Sequence, residues 1–338
     1  MMNDALKILL LSAAESFLIC GAALLLLLHS GLAERVLDRP NARSLHLQPI
    51  PRIGGLAILL AVMVSAATFD KFSARCFLLL PLVAVSLLDD LRGLSITPRI
   101  VTHLAVAAGA MLTFAPLIGD LPLWQTIGGV LAGIAVLVWS TNLYNFMDGS
   151  DGLAGGMTAF GFSFLALAAF RGGDAEVAAY CLSFAAAALA FLLFNFHPAR
   201  IFMGDSGSAP IGFAAAVVSI EGSVKGLWTG WYPLLVFSPF VLDASVTLLR
   251  RLLRGERFWQ AHREHYYQHL IRLGWGHRRT ALTYYLLMLG TGLAATFALP
   301  LASPWPLLLI LLALALAASL MFTVDRAWSS QLESKNEL

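Results

Sequence analysis

The sequence predicts an all-α, polytopic membrane protein with about eleven transmembrane helices in a single domain over residues 1–338. Of its 338 residues, 59% are hydrophobic and only 12% are charged, whereas soluble domains carry about 25% charged residues. Eleven apolar stretches approach the roughly 20 residues that a membrane span needs. Most acidic, amide and histidine side chains fall in the gaps on one side of these stretches, which predicts a polar site at one membrane face.

The first apolar stretch is expected to be a retained span rather than a signal peptide, since no small-residue cleavage site follows it. The predicted spans are 6–28, 53–69, 74–88, 100–118, 125–144, 153–170, 175–195, 208–220, 226–249, 280–299 and 303–322. The third and the eighth are short, so ten helices is the alternative count.

The distribution of basic residues predicts an outside (periplasmic) N-terminus and a cytoplasmic C-terminus, because Lys and Arg concentrate in cytoplasmic loops. With this orientation, 17 of the 22 basic residues lie on the inner side. The active-site loops expected there are 29–52, 89–99, 145–152, 196–207 and 250–279. The net charge of +2 favours no nucleic-acid partner, and the three separated cysteines are expected to be small buried hydrophobes.

The most polar gap follows the fifth span, where asparagine or aspartate recurs every third residue, at Asn142, Asn145, Asp148 and Asp151. Ionisable side chains between spans are a functional-site hypothesis by default. On a helix these four would follow one another at roughly 60° steps, but the glycines from Gly149 onward predict that the helix breaks near Asp148. Backbone amides freed there would face a phosphate; the alternative is a polar loop with ordinary capping.

Three further aspartates complete a set of five carboxylates on the same side. Asp89 and Asp90 follow the third span, and Asp205 lies in a glycine-permitted turn before the eighth. Hard divalent cations take oxygen ligands, so the set predicts a Mg²⁺ site rather than a zinc site. The alternatives are that the Asp89–Asp90 pair only ends a helix, and that the Gly-Asp-Ser-Gly stretch is protease-like. The second alternative fails because no secreted two-barrel domain is present.

The longest inner loop combines arginines with three histidines, His262, His265 and His269, which are spaced i, i+3 and i+7. That spacing predicts one face of a helix, and with Arg263 this face would hold the diphosphate of a nucleotide sugar. The alternatives are an ordinary basic cytoplasmic loop and a histidine metal site.

Arg52 lies between two prolines and the pair Gly54-Gly55, at the start of the second span. Proline makes the entry to the span rigid, and the glycines permit close packing. An interfacial anchor is the alternative interpretation of this stretch.

Taken in order, these motifs resemble those of the polyprenyl-phosphate N-acetylhexosamine-1-phosphate transferase superfamily. The matching stretches are His46–Gly55, Asp89–Ser95, Asn142–Ala154, Phe202–Ser208 and His262–His269. The resemblance implies about eleven spans, a site facing the cytoplasm of a bacterial inner membrane, and a requirement for Mg²⁺ or Mn²⁺. It also implies transfer of a sugar-1-phosphate from a UDP-N-acetyl sugar to undecaprenyl (polyprenyl) phosphate with release of UMP.

The resemblance also assigns roles to individual residues. It implies catalytic roles for Asp89, Asp90, Asp148 and Asp151. It implies substrate binding by Arg52, Asn142, Asn145, His262, Arg263, His265 and His269. It implies metal binding by Asn145, Asp151 and Asp205, with Asp151 as the foremost ligand. The partners are the UDP-sugar, undecaprenyl phosphate and membrane lipids, and the oligomeric state stays open between monomer and homodimer.

The separated histidines resemble the branch that starts O-antigen, capsule or other surface-glycan synthesis. The peptidoglycan branch, phospho-MurNAc-pentapeptide transferase, has consecutive histidines there instead. That branch stays an alternative, as do a transporter of lipid-linked or anionic solutes and a membrane phosphatase.

Overall fold

The computed structural model describes residues 2–40, 48–69, 74–114, 122–257, 262–301 and 304–336. The helices are α1 Met2–Leu28, α2 Gly31–Arg35, α3 Gly54–Thr68, α4 Ala74–Arg92, α5 Ile96–Phe114, α6 Leu123–Met147, α7 Leu153–Arg171, α8 Ala175–Asn195, α9 Asp205–Val224, α10 Trp231–Val236, α11 Ser238–Leu253, α12 Tyr266–Leu270, α13 Gly276–Ala298 and α14 Trp305–Asn336. Within these ranges the only sheet is one antiparallel pair, β1 Leu37–Asp38 with β2 Ile50–Pro51. The predicted all-α class is confirmed.

A helix lies at each of the eleven predicted spans, and eight of the described helical stretches are long and apolar enough to cross a membrane. One of the eight stretches, Tyr266–Ala298, consists of α12 and α13 joined by an irregular turn at Ile271–Trp275, where Gly274 has φ 95°. The protein is therefore a polytopic membrane protein. The number of crossings and the orientation of the termini stay predictions.

Several boundaries differ from those predicted. Helix α4 continues to Arg92, so Asp89 and Asp90 lie in its last turns rather than in a loop. Gly93, with φ 66°, ends this helix by donating its N–H to the Asp89 carbonyl at 2.8 Å. Helix α6 likewise continues to Met147, which places Asn145 on a helix. Asp90 and Asn145, near the ends of these two helices, contact residues of α9.

The ninth predicted span is not one helix. It is divided into α10 and α11 at Phe237, whose backbone has φ −90° and ψ 6°. A proline follows in the first turn of α11, where the missing N–H is tolerated. The hydrophobic pattern alone cannot show this division, because the residues on both sides of it are apolar.

Helices α7, α8 and α9 form the centre of the bundle. In each of them 78% of the apolar window is buried, compared with 17% for α6 and 0% for α14. The Phe162 and Phe184 rings stack at 4.4 Å between α7 and α8. The three cysteines are buried and form no disulfide, as expected. Because α9 is buried at the centre of the bundle, its first turn has a fixed position, and the polar motifs can pack around it.

Candidate functional site

The site is built around the start of α9. Gly204, with φ 76°, turns the chain so that Asp205 is the first helical residue, as the sequence predicts. The carboxylate of Asp90 accepts the N–H of Ser206 at 2.9 Å and that of Asp205 at 3.4 Å. A carboxylate at this end satisfies N–H groups that have no partner inside the helix. Asp90 therefore caps a helix 115 residues further along the chain.

The stretch that carries Arg52 is attached to the same place by backbone hydrogen bonds. The N–H of Phe202 donates to the Pro51 carbonyl at 2.7 Å, and the N–H of Gly54 donates to the Phe202 carbonyl at 2.8 Å. The Arg52 guanidinium donates to the Asp90 carbonyl at 2.8 Å and lies 3.6 Å from the Asp90 carboxylate. Three of the five motifs therefore meet here.

Two glycines allow α3 and α9 to touch. A Cβ atom added to Gly55 would lie 2.2 Å from the Gly207 Cα, and one added to Gly207 would lie 2.4 Å from the Gly55 Cα. Real Cβ atoms do not approach backbone atoms so closely, so any side chain at either position would separate the two helices.

Asn145 brings the fourth motif to the site. Its amide Nδ2 donates to the Asp205 carboxylate at 3.2 Å, and its Oδ1 accepts the Ser208 hydroxyl at 2.8 Å. The two bonds hold the amide between two residues of one helical turn of α9. Asn145 is thereby fixed toward Asp205, as the predicted metal-site pairing requires.

Arg99, at the start of α5, joins two of the predicted carboxylates. Its guanidinium lies 2.7 Å from the Asp89 carboxylate and 3.4 Å from that of Asp205. The Asp89 carboxylate also accepts the N–H of Leu94 at 2.6 Å. A guanidinium offers five donors in a planar fork, so Arg99 can contact both carboxylates at once and still face an incoming phosphate.

Asp148 ends α6, as predicted, and faces the carboxylate cluster. Its pKa is raised well above the ordinary value by burial and then by the neighbouring charges of Asp205 and Asp90. A hydrogen bond from the Gly204 N–H opposes this shift. The three carboxylates are close enough to repel one another, and a bound cation is the usual relief of such repulsion.

No three His, Cys, Asp or Glu side chains within the described ranges are placed so that they could hold a metal ion alone. Mg²⁺ does not need such a set, since it usually takes one or two carboxylates and completes its shell with water and substrate phosphates. The neighbouring carboxylates of Asp148 and Asp205, with the amide of Asn145, fit that requirement.

Asp151 has a different environment from the other four aspartates. Its buried carboxylate lies 2.7 Å from His197 Nδ1 and 3.6 Å from His277 Nδ1, and it accepts the N–H of Ala199 at 3.2 Å. The two imidazole rings stack in parallel with 5.5 Å between their centroids. These contacts are with two histidines and a backbone N–H, and they do not bring Asp151 to the other predicted carboxylates. A metal-ligand role for Asp151 therefore stays a prediction.

The contacts of Asn142 differ from those of Asn145. Its amide donates to the Val138 carbonyl at 2.7 Å and lies 3.4 Å from His103 Nδ1 on α5. Substrate binding by Asn142 stays a prediction that these contacts do not support.

The three histidines of the long loop do not share one helix face, so that prediction is wrong. Helix α12 begins only at Tyr266, with His265 as its N-cap, and His262 lies before it. The cause is Asp243, a buried carboxylate on α11 that accepts the N–H groups of Tyr266 at 2.9 Å and Tyr267 at 3.0 Å. This carboxylate fixes the point at which the helix starts.

The segment of residues 262–270, called the histidine segment below, nevertheless packs against the end of α6. The His265 ring stacks near Phe146, with 6.2 Å between centroids, and the Tyr267 hydroxyl donates to the Phe146 carbonyl at 3.2 Å. The His262 ring lies 4.8 Å from that of His265. Burial, followed by the charges of His265 and Arg251, lowers the pKa of His262 to about 4. His262 is therefore a neutral imidazole at neutral pH.

Most of the loop arginines whose contacts the structure describes are in ion pairs. Arg250 lies 2.7 Å from Asp325, and Arg251 lies 2.8 Å from Glu256. Arg251 and Arg254 also contact Glu264. These charges hold the loop together, so the basic composition alone overstates its capacity for phosphate. The diphosphate role of Arg263 stays a prediction.

The sequence reasoning missed several side chains of the site, namely Arg99, Asp243, His197 and Ser208. Arg99 carried a signal, since it lies in the first turn of the helix after the Asp89–Asp90 pair, but it entered only the count of basic residues. Asp243 carried one as a lone acid within an apolar span. Residues 41–47, which include His46 of the first motif, and residues 258–261 of the long loop lie outside the described residues.

An apolar cavity of about 520 Å³ lies beside the histidine segment, between α11, α13 and α14. Its walls include Leu242, Leu287, Leu312 and Leu316, and Asp243 and Tyr266 lie at its polar end.

Comparison with known proteins assigns the chain to a family. Residues 72–223 match the model of glycosyl transferase family 4. The chain is 30% identical over 266 residues to a probable undecaprenyl-phosphate N-acetylglucosaminyl 1-phosphate transferase of Bacillus subtilis, covering 74% of each chain. It is 26% identical over 327 residues to an undecaprenyl-phosphate alpha-N-acetylglucosaminyl 1-phosphate transferase of Escherichia coli O157:H7, covering 87% of this chain and 84% of that one.

The peptidoglycan branch is also among the relatives. A phospho-N-acetylmuramoyl-pentapeptide-transferase of a Geobacillus strain is 30% identical over 263 residues, covering 70% of this chain and 79% of that one. These similarities extend well beyond the motifs and cover most of the bundle. The chain therefore belongs to glycosyl transferase family 4, the superfamily of polyprenyl-phosphate hexosamine-1-phosphate transferases.

Proposed function

We propose that this protein transfers N-acetylhexosamine-1-phosphate from a UDP-sugar to undecaprenyl phosphate and releases UMP. One observation carries the proposal. Four separated motifs meet at the start of α9, where Asp89, Asp90, Asp148 and Asp205 lie beside Arg52 and Arg99. Phosphoryl transfer is mostly a matter of positioning and of neutralising charge, and this cluster supplies carboxylates for a cation and guanidinium groups for phosphates.

The proposed cofactor is Mg²⁺, with Mn²⁺ as a substitute. Asp205 and Asp148 would hold it, with Asn145 keeping the Asp205 carboxylate in place. When bound, the ion neutralises phosphate charge and orients the two reacting groups. The assignment of Asp151 to this ion is retained only as a separate prediction, since its contacts are with His197 and His277.

The chain's own cations would reduce the repulsion between two anionic substrates. Arg99 faces the cluster from α5, and Arg52 faces it from the start of α3. Donors aimed at developing charge in a site of low dielectric typically contribute 10²–10³ in rate. We assign phosphate binding to both residues, with Arg99 nearer to Asp205.

Asp89 would position groups rather than remove a proton. The second pKa of a phosphate monoester is about 6, so the lipid phosphate is largely dianionic at neutral pH and a general base adds little. The contacts of Asp89 support this role, because its carboxylate is already bound by Arg99 and by the Leu94 N–H.

The donor proposed first is UDP-N-acetylglucosamine, since two of the relatives described above are named for N-acetylglucosaminyl 1-phosphate transfer. The product would initiate O-antigen or another cell-surface glycan at the cytoplasmic face of the inner membrane. UDP-MurNAc-pentapeptide is the second candidate, and the Geobacillus relative supports it.

Membranes that contain the protein should be incubated with each labelled UDP-sugar and undecaprenyl phosphate. We expect a sugar-diphosphate-lipid and one UMP per turnover, abolished by chelation and restored by Mg²⁺. Membranes that contain Asp205→Asn protein at equal abundance are the control. Flux of label across the membrane without UMP would identify a transporter, and release of inorganic phosphate without a lipid product would identify a phosphatase.

A further inference from the structure

The last helix, α14, extends beyond the length that a membrane requires. Its 32 residues span about 48 Å at 1.5 Å per residue, whereas the hydrocarbon core is about 30 Å thick. Residues 321–336, called the C-terminal extension below, lie at the same end of the molecule as the histidine segment, because Asp325 and Trp328 contact it.

Along its apolar length, α14 packs loosely. None of its apolar window is buried, and it forms one wall of the 520 Å³ cavity. Trp305, at the opposite end, is 59% exposed, as expected of an interfacial tryptophan. Ile310 and Ala313 are only partly buried against the core, so the apolar part of α14 fixes the helix weakly.

The C-terminal extension, in contrast, makes specific contacts. The Trp328 indole stacks on the His269 ring with 4.4 Å between centroids and 5° between planes. The Arg272 guanidinium lies 4.4 Å from the centre of the same indole. Ring stacking and cation–π contacts are both attractive and depend on the orientation of the ring. His269 lies in the last turn of α12, and Arg272 lies in the turn that follows it.

Asp325 makes the second contact, one helical turn before Trp328. Its carboxylate lies 2.7 Å from Arg250 and accepts the Tyr266 hydroxyl at 3.3 Å. Tyr266 is the first residue of α12, and its N–H is held by Asp243 from the other side. Asp243 of α11 and Asp325 of α14 therefore hold the short helix α12 from two sides.

We propose that the C-terminal extension positions the histidine segment, with Trp328 and Asp325 as positioning residues for donor binding. Helix α12 continues only through the irregular turn Ile271–Trp275, which is interrupted at Gly274 with φ 95°. So short a segment has too few internal hydrogen bonds to be stable alone, so its position depends on the contacts that hold it. The effect on catalysis rests on the proposed function, because it assumes that the histidine segment contacts the donor.

The test compares Trp328→Ala with Trp328→Phe and with the matched control Trp305→Ala on the same helix. Hydrogen exchange of the full chain in detergent should increase over residues 262–275 in Trp328→Ala and stay unchanged over α9. Trp328→Phe should restore most of the protection, and Trp305→Ala should leave it unchanged. Unchanged exchange over residues 262–275 in Trp328→Ala would overturn the proposal.

Kinetics then separate this proposal from the proposed function. We expect Trp328→Ala to raise the donor KM about tenfold with a much smaller change in kcat. Increased exchange with an unchanged donor KM would support positioning and contradict donor contact by the histidine segment. Asp325→Asn, which keeps the shape of the side chain, provides the second variant if Trp328→Ala does not fold. It should increase exchange at Tyr266, and no increase would count against the proposal.

Discussion

At the scale of single residues, Arg99 is the side chain on which the arrangement of charge depends most. It bridges Asp89 and Asp205 from a third helix. Removing it leaves two carboxylates without their shared cation. Arg99 is half-buried, so the cost to stability should lie between that of a surface pair, at most about 1 kcal/mol, and that of a buried one, about 3–5 kcal/mol.

We expect Arg99→Gln to lower kcat/KM by about 10²–10³, measured as UMP release with both substrates. Arg92→Gln, at an exposed position in the last turn of α4, is the matched control and should stay near the parent rate. Parent-like turnover in Arg99→Gln would show that Arg99 does not bind the substrate phosphates.

Asp151 gives a second prediction at this scale, because its environment separates two roles. If Asp151 is a metal ligand, Asp151→Asn should raise the Mg²⁺ concentration needed for half-maximal activity at least tenfold. Its contacts with His197 and His277 favour the other result, a loss of activity with an unchanged Mg²⁺ requirement. A Mg²⁺ titration of Asp151→Asn beside Asp205→Asn decides between them, since the Asp205 variant should show the shift.

At the scale of elements, the contact between α3 and α9 sets the distance between Arg52 and Asp205. Gly55→Ala would place a methyl group 2.2 Å from the Gly207 Cα. Overpacking of this kind costs about 1–3 kcal/mol, so we expect a lower melting temperature and a strong loss of activity. Gly128→Ala on α6, which has open space around it, is the control. It should be neutral or stabilising by up to about 1 kcal/mol, and equal melting temperatures for the two variants would contradict the close contact.

The elements also show how far sequence reasoning reaches. The hydrophobic pattern predicts a helix at each span, and the turn at Gly204 and the break at Asp148 are both confirmed. Helix ends are predicted less well. Gly93 ends α4 beyond the apolar span. The Asp90 carboxylate meets the distant α9, and the distant Asp243 fixes the start of α12. Such contacts join residues far apart in sequence and have no local pattern.

At the scale of the whole molecule, clustered carboxylates link the proposed cation to stability. Because burial and then Asp205 and Asp90 raise the pKa of Asp148, the folded state binds more protons than the unfolded state above pH 4. Stability should therefore fall as pH rises through the raised pKa. Mg²⁺ should offset this fall, because it competes with protons for the same group.

With chelator present, we expect the melting temperature in detergent to decrease between pH 5 and 8, and Asp148→Asn to decrease less steeply. Asp174→Asn is the control, because the pKa of Asp174 is shifted in the opposite direction from that of Asp148. Burial opposes ionisation of Asp174, but hydrogen bonds from Lys225 and Val177 outweigh it and lower the pKa of this carboxyl. The ionised Asp174 carboxylate contributes its full stabilisation above about pH 5. This variant should therefore shift the curve of melting temperature against pH without changing its slope. An unchanged slope in Asp148→Asn would contradict the carboxylate cluster.

The orientation of the whole bundle is a further prediction. Single cysteines should replace Arg254, beside the histidine segment, and Arg171, at the opposite end of α7, in a chain without its three native cysteines. An impermeant maleimide should label the Arg171→Cys protein in intact spheroplasts and the Arg254→Cys protein only after lysis. The reverse pattern would place the site on the outer face.

The capping of α9 by Asp90 has a consequence for inhibition. A substitution at Asp90 leaves the N–H groups of Asp205 and Ser206 without their acceptor, in addition to changing the site. A compound that gains its affinity from this carboxylate would therefore bind a position at which escape mutations also damage the enzyme. Resistance to such a compound should arise more slowly than resistance to a compound that contacts only exposed loop side chains.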